Sequence, residues 1–448
     1  MTLLFMFLDS PERRERQKSK NNFMGKYMKS FVLESNFFEG NNPEDIVAKF
    51  GSPVYVYNEK ILRDRMSKVA KVITKYPYTA NYSVKANTNI HILKLALEEG
   101  LNCDAMSVGE ITLLLKAGFP SERIFFVPNN VAPYELAFAL KNGVMTSLDS
   151  LSQLELFGEV CNEMNIPAGD RKCAVRINPG VGAGHHEKVI TGGKKTKFGI
   201  AEYDIPQIFE IAKKYNVRIA GINQHIGSLF MDGQPYLDAV TNLLRIARGF
   251  DNLDFIDFGG GYGIPYHKLD DEKDFPMEDF KARLEPILDE FVASYGKAPL
   301  FKSEPGRFCV AEGSVILGRV YATKENSGNH FAGTDVGMNV LVRPSMYDSH
   351  HDIEVLRDGK VVARNEGLVE QTVTGNICES GDILAKNRML PKIEEGDLIC
   401  VLDTGAYGWS MCSTYNSRPR PAEVMICADG KVKQIRRKET IEDLMKLF

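Results

Sequence analysis

Eight apolar runs rich in β-branched and aromatic residues alternate with helical patterns between residues 60 and 307. The helical patterns include Ile90–Leu97, which stops before Gly100, and a stretch from about 278 to 295. Eight strands alternating with helices over roughly 250 residues predict an α/β fold, a (β/α)8 TIM-like barrel. An open doubly wound sheet remains the alternative, because a count of strands does not prove closure. The strand runs are 79–86, 101–106, 124–128, 144–148, 173–178, 219–227, 253–258 and 299–303.

The pattern of residues along the chain changes after Arg307. Short β-rich runs separated by turn residues dominate residues 308–448, which predicts a C-terminal β-sandwich or β-barrel domain. The runs are Val310–Thr323, His330–Asp335, Asp352–Leu356, Lys360–Arg364, Leu398–Asp403, Glu423–Ala428 and Lys431–Arg436.

Residues 29–58 form an N-terminal segment that we expect to pack with the β domain, so that the barrel spans 59–307. Phe31–Leu33 and Val54–Tyr57 are typical of strands. Between them, Asn42-Pro43 indicates a helix start, with asparagine as the cap and proline in the first turn.

Composition and charge argue against several classes of protein. A net charge of −4 over 448 residues offers no basic field for nucleic acid or an anionic membrane. No apolar run approaches the ~18 residues of a membrane span. Eight cysteines without C-x-x-C pairs or metal spacing indicate a reduced, cytoplasmic protein with no metal site. Residues 1–28 are expected to be a disordered extension, since their charges follow the apolar run Leu3–Leu8, whereas a signal peptide has them first.

Lys85 lies in the sequence Tyr82–Asn87, which is typical of a buried strand. Lysine is almost never fully buried unless another group pairs with it. Desolvation would lower the pKa of this amine and make it a usable nucleophile for a Schiff base. The alternative is a lysine whose ammonium reaches water from the end of the strand.

Three further groups follow predicted strands, at the barrel end where catalytic residues lie. His225 ends the sixth strand and could lie flat on an aromatic ring. The run Gly259–Gly263 follows the seventh strand and leaves backbone N–H groups free to approach a phosphate. Glu304, before Pro305-Gly306-Arg307, could hydrogen-bond a protonated ring nitrogen. Together with Lys85 these groups predict a site for pyridoxal 5′-phosphate.

Several motifs resemble those of the fold-type III pyridoxal-phosphate decarboxylases. The resemblance covers about residues 30 to 440 and implies an alanine racemase-like barrel followed by a β domain. Arg343-Pro344-Ser345-Met346-Tyr347-Asp348 is similar to the branch of that family that acts on diaminopimelate. The other motifs are Tyr82–Asn87, His225–Ser228, Gly259–Gly263, Glu304–Arg307 and Cys378-Glu379-Ser380-Gly381-Asp382.

The resemblance also implies a role for individual residues. Lys85 would carry the cofactor covalently, supported by Asp104, with His225 stacked on the ring and Glu304 on its nitrogen. Cys378, as the acid that returns a proton, and Glu379 would enter from the second subunit of a homodimer. The phosphate would be held by Ser228, Gly260, Gly261, Gly306 and Tyr407, and the substrate by Arg307, Arg343, Tyr347 and Tyr407, with Arg307 also close to the cofactor.

The implied activity is decarboxylation of meso-2,6-diaminopimelate to L-lysine and CO2. Two arginines suit the distal carboxylate of this substrate, because guanidinium and carboxylate form paired, charge-assisted hydrogen bonds. Arg343 could instead be a solvated surface charge, and Cys378 an inert buried thiol. A decarboxylase of D-lysine or D-ornithine is the main alternative function. An amino-acid racemase would lack the motif at Cys378, and a pyridoxal-phosphate homeostasis protein would be a barrel alone.

Two remaining features bear on the site. Ser83 stands where the family often has alanine, and both residues are small. The glycine- and lysine-rich segment 182–197 is expected to be a long loop beside the barrel rim, which could close over substrate or simply connect two elements.

Overall fold

The computed structural model describes residues 29–178, 180, 196–364 and 367–448. The predicted extension 1–28 lies outside these residues, as does the loop 182–197 apart from its last two residues. In the described part, no helix is long and apolar enough to cross a membrane. The chain forms one all-parallel sheet and one mixed sheet.

The N-terminal segment contributes a strand to the mixed sheet. Helix α1 (Phe31–Glu34) and helix α2 (Pro43–Phe50) precede strand β1 (Val54–Asn58). The prediction of a strand at Phe31–Leu33 is wrong, because the Ser30 hydroxyl caps a short helix there by accepting from the Leu33 amide. The predicted helix start at Asn42 is confirmed, since its side chain accepts from the Glu44 amide.

Eight strands of the parallel sheet close into a ring. Their order is β5-β4-β3-β2-β10-β9-β8-β6, and β6 pairs back with β5. The barrel prediction is confirmed and the open sheet is excluded. Short strand β7 extends β6 outside the ring. The strands are β2 (Tyr78–Ser83), β3 (Asn102–Ala105), β4 (Ile124–Phe126), β5 (Met145–Leu148), β6 (Lys172–Asn178), β7 (Ile200–Ala201), β8 (Arg218–Asn223), β9 (Phe255–Asp257) and β10 (Leu300–Ser303).

One helix, after β1, precedes the barrel strands and the others follow them, and polar side chains fix where several begin. Asn58, Asn89, Ser107 and Ser150 each accept a hydrogen bond from an amide in the first turn of the helix that follows. The helices are α3 (Glu59–Val69), α4 (Ile90–Glu98), α5 (Val108–Ala117), α6 (Pro133–Lys141), α7 (Leu151–Glu163), α8 (Ile205–Tyr215), α9 (Gln234–Ala247), α10 (Met277–Tyr295) and α11 (Arg307–Val310).

The mixed sheet is built from the residues after the barrel together with β1. Strand β1 pairs antiparallel with β11 and parallel with β18, so the segment before the barrel lies in the centre of this sheet. Its other elements are β11 (Ser314–Asn326), β12 (Asn329–Thr334), β13 (Ile353–Arg357), β14 (Lys360–Val361), β15 (Leu368–Thr374), β16 (Ile383–Pro391), β17 (Leu398–Val401), β18 (Ala422–Ile426) and β19 (Val432–Arg436), with helices α12 (Arg343–Tyr347) and α13 (Ile441–Met445).

Each of the seven runs predicted after Arg307 contains a strand, but the first begins only at Ser314, because Val310 ends helix α11, and the strand at Lys360 ends at Val361. Strands β15 and β16 are additional. Both mix apolar with polar or charged residues, as in Leu368–Thr374, and therefore lack a clear strand pattern. The two strands are antiparallel partners, and the segment between them carries Cys378. The missed strands thus define the base of one of the predicted site loops.

Candidate active site

Lys85 lies in a single 3-10 turn, Val84–Ala86, directly after β2. The prediction that it belongs to the strand is wrong, because strand pairing ends at Ser83. The amide of Tyr407, from the β domain, donates to the Ala86 carbonyl at 2.8 Å and ties this turn to the second sheet. The half-buried side chain lines a cavity of about 350 Å³. Its other lining residues are Met106, Val127, Asn129, Asn130, Arg176, Lys197, Phe198, Asn223, His225 and Glu304.

The pKa of Lys85 is raised above its ordinary value, so the lowering predicted from the sequence is wrong. Burial alone lowers the pKa of the ammonium, but Tyr407, Asp104 and Glu304 favour the charged form and outweigh burial. Desolvation is visible in the local sequence, whereas these three acidic neighbours lie elsewhere along the chain.

Asp104 is the penultimate residue of β3, next to the turn that carries Lys85, and its side chain is fully buried. Burial raises the pKa of Asp104 to about 7, although Lys85 and a hydrogen bond from Ser83 lower it. The Ser83 hydroxyl donates to Asp104 Oδ1 at 2.8 Å. Ser83 therefore contributes a hydrogen bond as well as small size, a contact that sequence reasoning missed.

Glu304 follows β10 and is 5% exposed. Burial raises its pKa well above the ordinary value, with Asp257 and Asp104 adding to the effect. Glu304 Oε1 has no hydrogen-bond partner among the described residues. The cavity therefore contains a buried carboxyl oxygen that a bound donor would satisfy.

His225 lies on the same rim, after β8, with Nδ1 4.0 Å from Glu304 Oε2. Its Nδ1 accepts a hydrogen bond from the Gly260 amide at 3.1 Å, so this nitrogen carries no proton. Burial, together with Lys85 and Arg176, lowers the pKa of His225 well below its ordinary value. A neutral ring at this position is suited to packing against another flat ring.

Glycine is required at three positions beside these groups, at two because neighbouring atoms approach closely and at one because of its backbone conformation. A Cβ atom at Gly260 would lie 2.0 Å from the Glu304 carbonyl oxygen, and one at Gly306 would lie 2.8 Å from Ser83 Cβ. Gly261 has a φ of 124°, which side-chain-bearing residues rarely adopt. The glycine run thus leaves bare backbone beside the cavity, where an anion can approach amide groups.

Arg176 is a cavity residue that sequence reasoning missed. It lies in β6, is 7% exposed, and its guanidinium stands 4.5 Å from the centroid of the Phe198 ring. Burial lowers its pKa, although Glu304 and Asp149 oppose this. An arginine inside the otherwise apolar run Cys173–Ile177 was the available signal, since a charge in a buried strand requires a partner.

Arg307 and Arg343 both contact Tyr266. Arg307 Nη1 donates to Tyr266 Oη at 2.7 Å, and the Arg343 guanidinium lies 4.8 Å from the centroid of that ring. Arg343 is 2% exposed, which excludes the solvated surface charge considered from the sequence. Neither arginine has an Asp or Glu ion-pair partner in the part of the chain described. Two buried cations without carboxylates indicate a site for an anionic ligand.

Three other predicted residues cluster around Arg307. Ser228 Oγ accepts hydrogen bonds from Arg307 Nε at 3.3 Å and Nη2 at 3.1 Å. The Tyr407 ring centroid lies 4.9 Å from the guanidinium. Burial lowers the pKa of Arg307, but Tyr266 and Tyr407 raise it, and the net pKa is above the ordinary value. Tyr347, at the end of α12, is close enough to add a smaller effect in the same direction.

Cys378 and Glu379 are exposed and do not line the cavity at Lys85. The Cys378 amide donates to Asn416 Oδ1 at 2.8 Å, and the Tyr415 hydroxyl donates to Glu379. Asp382 holds the base of this segment by accepting from the Ile377 amide at 2.7 Å. The exposure of Cys378 excludes the inert buried thiol considered from the sequence.

Comparison with known proteins gives consistent results. The model for the pyridoxal-binding domain of pyridoxal-dependent decarboxylases matches residues 59–311. The diaminopimelate decarboxylase of Methanothermobacter thermautotrophicus is 40% identical over 415 residues, covering 91% of this chain and 94% of that protein. The crystal structure of diaminopimelate decarboxylase from Helicobacter pylori complexed with L-lysine matches with a TM-score of 0.82 and 31% identity. It covers 91% of this chain and 99% of that one. The chain belongs to the diaminopimelate decarboxylases.

Membership in the diaminopimelate decarboxylase family confirms the resemblance seen in the motifs and makes the chain a pyridoxal-phosphate-dependent enzyme. The cavity residues fit that cofactor. Lys85 supplies an amine, the glycine run leaves backbone amides near an anion, and Glu304 Oε1 offers an acceptor to a protonated ring nitrogen. These observations are independent of the sequence matches.

Proposed function

We propose that this enzyme removes the carboxylate at one end of meso-2,6-diaminopimelate, yielding L-lysine and CO2. The observation that carries this choice of substrate is the pair Arg307 and Arg343, two buried guanidiniums with no carboxylate partner in the described chain. A diamine-producing decarboxylase has no distal carboxylate to bind and would gain nothing from burying the second arginine.

The cofactor would be held by residues at the C-terminal ends of the barrel strands. Lys85 would be its covalent attachment point, with Asp104 close by and His225 against the ring. Glu304 would accept from the ring nitrogen and keep it protonated. The phosphate would contact Ser228, Tyr407 and the backbone at Gly260, Gly261 and Gly306. When bound, pyridoxal phosphate supplies an electron sink for the pair left by the departing carboxylate.

The substrate would be oriented by its distal end. Arg307 and Arg343 would bind the distal carboxylate with paired hydrogen bonds, and Tyr347 and Tyr407 would pack alongside. Orientation decides which bond of the α-carbon breaks, so the grip on the far end determines that the carboxylate leaves. Burial of both arginines supports tight binding, because water screens their charges less than it screens charges on the surface.

A homodimer would complete the site. Cys378 would return a proton to the α-carbon and Glu379 would hold the distal ammonium, both from the partner subunit. Their exposure on one subunit and their absence from its own cavity support this arrangement. The enzyme would work in the cytoplasm, consistent with eight free cysteines. The predicted division into 29–58, 59–307 and 308–448 remains our proposal for the domains.

The test is CO2 release from four substrates: meso-diaminopimelate, D-lysine, D-ornithine and L-lysine. We expect meso-diaminopimelate to have the highest kcat/KM by at least about tenfold, because one charge-assisted contact is worth roughly 1.5–3 kcal/mol. A preference for D-lysine or D-ornithine would replace this proposal with a decarboxylase of D-configured basic amino acids.

A further inference from the structure

His351 is buried directly behind Arg343 and makes two short contacts. Its Nδ1 lies 2.7 Å from the Leu402 carbonyl oxygen, and its Nε2 lies 2.7 Å from Arg343 Nη1. A carbonyl can only accept and a guanidinium can only donate. Both contacts are therefore satisfied by one form of the ring alone, the neutral imidazole with its proton on Nδ1.

Tyr266 supports the same arginine from another side. The Tyr266 and His351 rings meet edge to face, 5.2 Å between centroids at 80°. The Tyr266 face lies under Arg343, while its hydroxyl accepts from Arg307 at 2.7 Å. Tyr266 and His351 thus form a support that holds two like charges near each other.

The neighbouring histidine does not share this role. His350 Nε2 lies 2.9 Å from Asp352 Oδ1 and 3.1 Å from Arg388 Nη1, and its ring packs on His267. These contacts do not include Arg343. The two adjacent histidines therefore provide a matched pair, of which only His351 touches the substrate-binding arginine.

We infer that His351 is a positioning residue that determines specificity for a substrate carboxylate, through its hydrogen bond to Arg343. A guanidinium has five N–H groups, and the imidazole occupies one of them on Nη1. Fixing that edge orients the remaining donors as a fork, and a fork is what a carboxylate binds with two parallel hydrogen bonds. Without this acceptor, Arg343 keeps the Tyr266 ring and a longer hydrogen bond, of 3.4 Å, from Nη2 to Ser349 Oγ. The ligand must then supply part of the ordering of the side chain, which weakens binding.

This inference rests on the proposed function, and binding measurements test it separately from turnover. L-lysine keeps the carboxylate that Arg343 would bind, whereas cadaverine is the same molecule without that carboxylate. The cofactor-loaded protein is titrated with each ligand by calorimetry. His351→Asn retains an amide that can donate to Leu402 but is too short to reach Arg343. His351→Gln can reach Arg343, and His350→Asn is the control.

We expect His351→Asn to weaken L-lysine binding by about tenfold, the loss of one charged hydrogen bond, and to leave cadaverine binding unchanged. His351→Gln should recover part of the loss, and His350→Asn should bind both ligands as the unaltered protein does. Equal losses for L-lysine and cadaverine, or unchanged L-lysine binding in His351→Asn, would overturn the inference.

Failure of the proposed function gives a different pattern. An unaltered protein that releases no CO2 from meso-diaminopimelate, yet binds L-lysine more weakly after His351→Asn, would refute the proposed reaction and support the positioning role. Normal CO2 release combined with unchanged L-lysine binding in His351→Asn would do the reverse.

Discussion

The cavity around Lys85 and the segment around Cys378 differ in how far one chain completes them. The cavity is lined by residues at the ends of several barrel strands, and its titratable groups shift one another's pKa values. The Cys378 segment lies between two strands of the mixed sheet, with its reactive side chains exposed. On the proposed function, one chain would hold the cofactor and a second subunit would bring the Cys378 thiol to it.

The largest effect should come from Lys85→Ala, which removes the proposed attachment point of the cofactor from the cavity. We expect borohydride treatment in the presence of pyridoxal phosphate to leave no adduct at the active site, and CO2 release to fall to that of a protein-free control. Peptide mass mapping after reduction checks this. Lys302→Ala is a useful comparison, since Lys302 is also buried but does not line the cavity. An adduct found at another lysine of the unaltered protein would contradict the assignment.

Cys378→Ala tests the exposed segment and should distinguish loss of turnover from loss of cofactor binding. Loss of a positioned proton donor typically costs 10²–10⁴-fold, so we expect a fall in kcat of about that size, with cofactor absorbance unchanged. Cys427→Ala, at a half-buried cysteine elsewhere, should have little effect.

Mixing Cys378→Ala with Lys85→Ala sharpens the comparison further. If the halves of one site come from different subunits, a mixed dimer holds one site with both native groups, and some activity returns. Subunit exchange must be shown independently, for example by mass-tagged subunits. No recovery despite exchange would mean that each chain uses its own Cys378.

Sequence reasoning predicted the barrel well because a strand–helix alternation is a local, periodic signal. It also placed Lys85, His225 and Glu304 on one rim, since the ends of parallel strands share an edge of the barrel. It failed where the outcome depends on groups distant in sequence. The pKa of Lys85 is raised by Asp104, Glu304 and Tyr407, and no local pattern reports how three such residues converge.

The same limit explains the errors in the second region. Strands β15 and β16 have mixed polarity, so their pairing depends on the sheet around them rather than on a clear alternation. The apolar character of Phe31–Leu33 predicts a strand, whereas the Ser30 cap and packing on the mixed sheet select a helix. Arg176 is the exception, because a charge within an apolar strand is a local signal.

Arg343→Lys should have an intermediate effect. It tests whether the arginine pair binds substrate together with the cavity around Lys85. Lysine keeps the charge but loses the planar fork. We expect KM for meso-diaminopimelate to rise about tenfold, the equivalent of ~1.4 kcal/mol, with a smaller change in kcat. Steady-state kinetics measure this, and activity on D-lysine, which has no distal carboxylate, is the internal control. Equal losses on both substrates would argue for general disruption instead.

A smaller effect concerns pH. The pKa of Asp104 is about 7 in the folded protein, against about 4 in an unfolded chain. The folded state therefore binds one more proton between these values. The contribution of Asp104 to the free energy of unfolding is therefore fully present below about pH 4 and is lost as the pH rises to about 7. In the cofactor-free protein, Asp104→Asn should remove this part of the decline. Asp257→Asn should remove a decline that ends at lower pH, because its pKa is about 6. Urea unfolding at several pH values gives the comparison, and an unchanged profile in Asp104→Asn would contradict it.

Ser83→Ala should have the smallest effect and tests the contribution of one hydroxyl beside Asp104. Alanine keeps the Cβ that packs against Gly306, so the losses are the hydrogen bond to Asp104 and a longer one, of 3.4 Å, to the Glu304 carbonyl. The hydrogen bond to Asp104 lowers the pKa of that carboxyl, and its removal should extend the decline in stability to higher pH. The free energy of unfolding should fall by about 1 kcal/mol. Ser314→Ala removes another buried hydroxyl, on β11 of the mixed sheet, and should lower stability without moving the pH midpoint. If both variants shift the midpoint equally, the serine at position 83 acts through general packing, and its hydroxyl is no part of the coupling between Asp104 and Lys85.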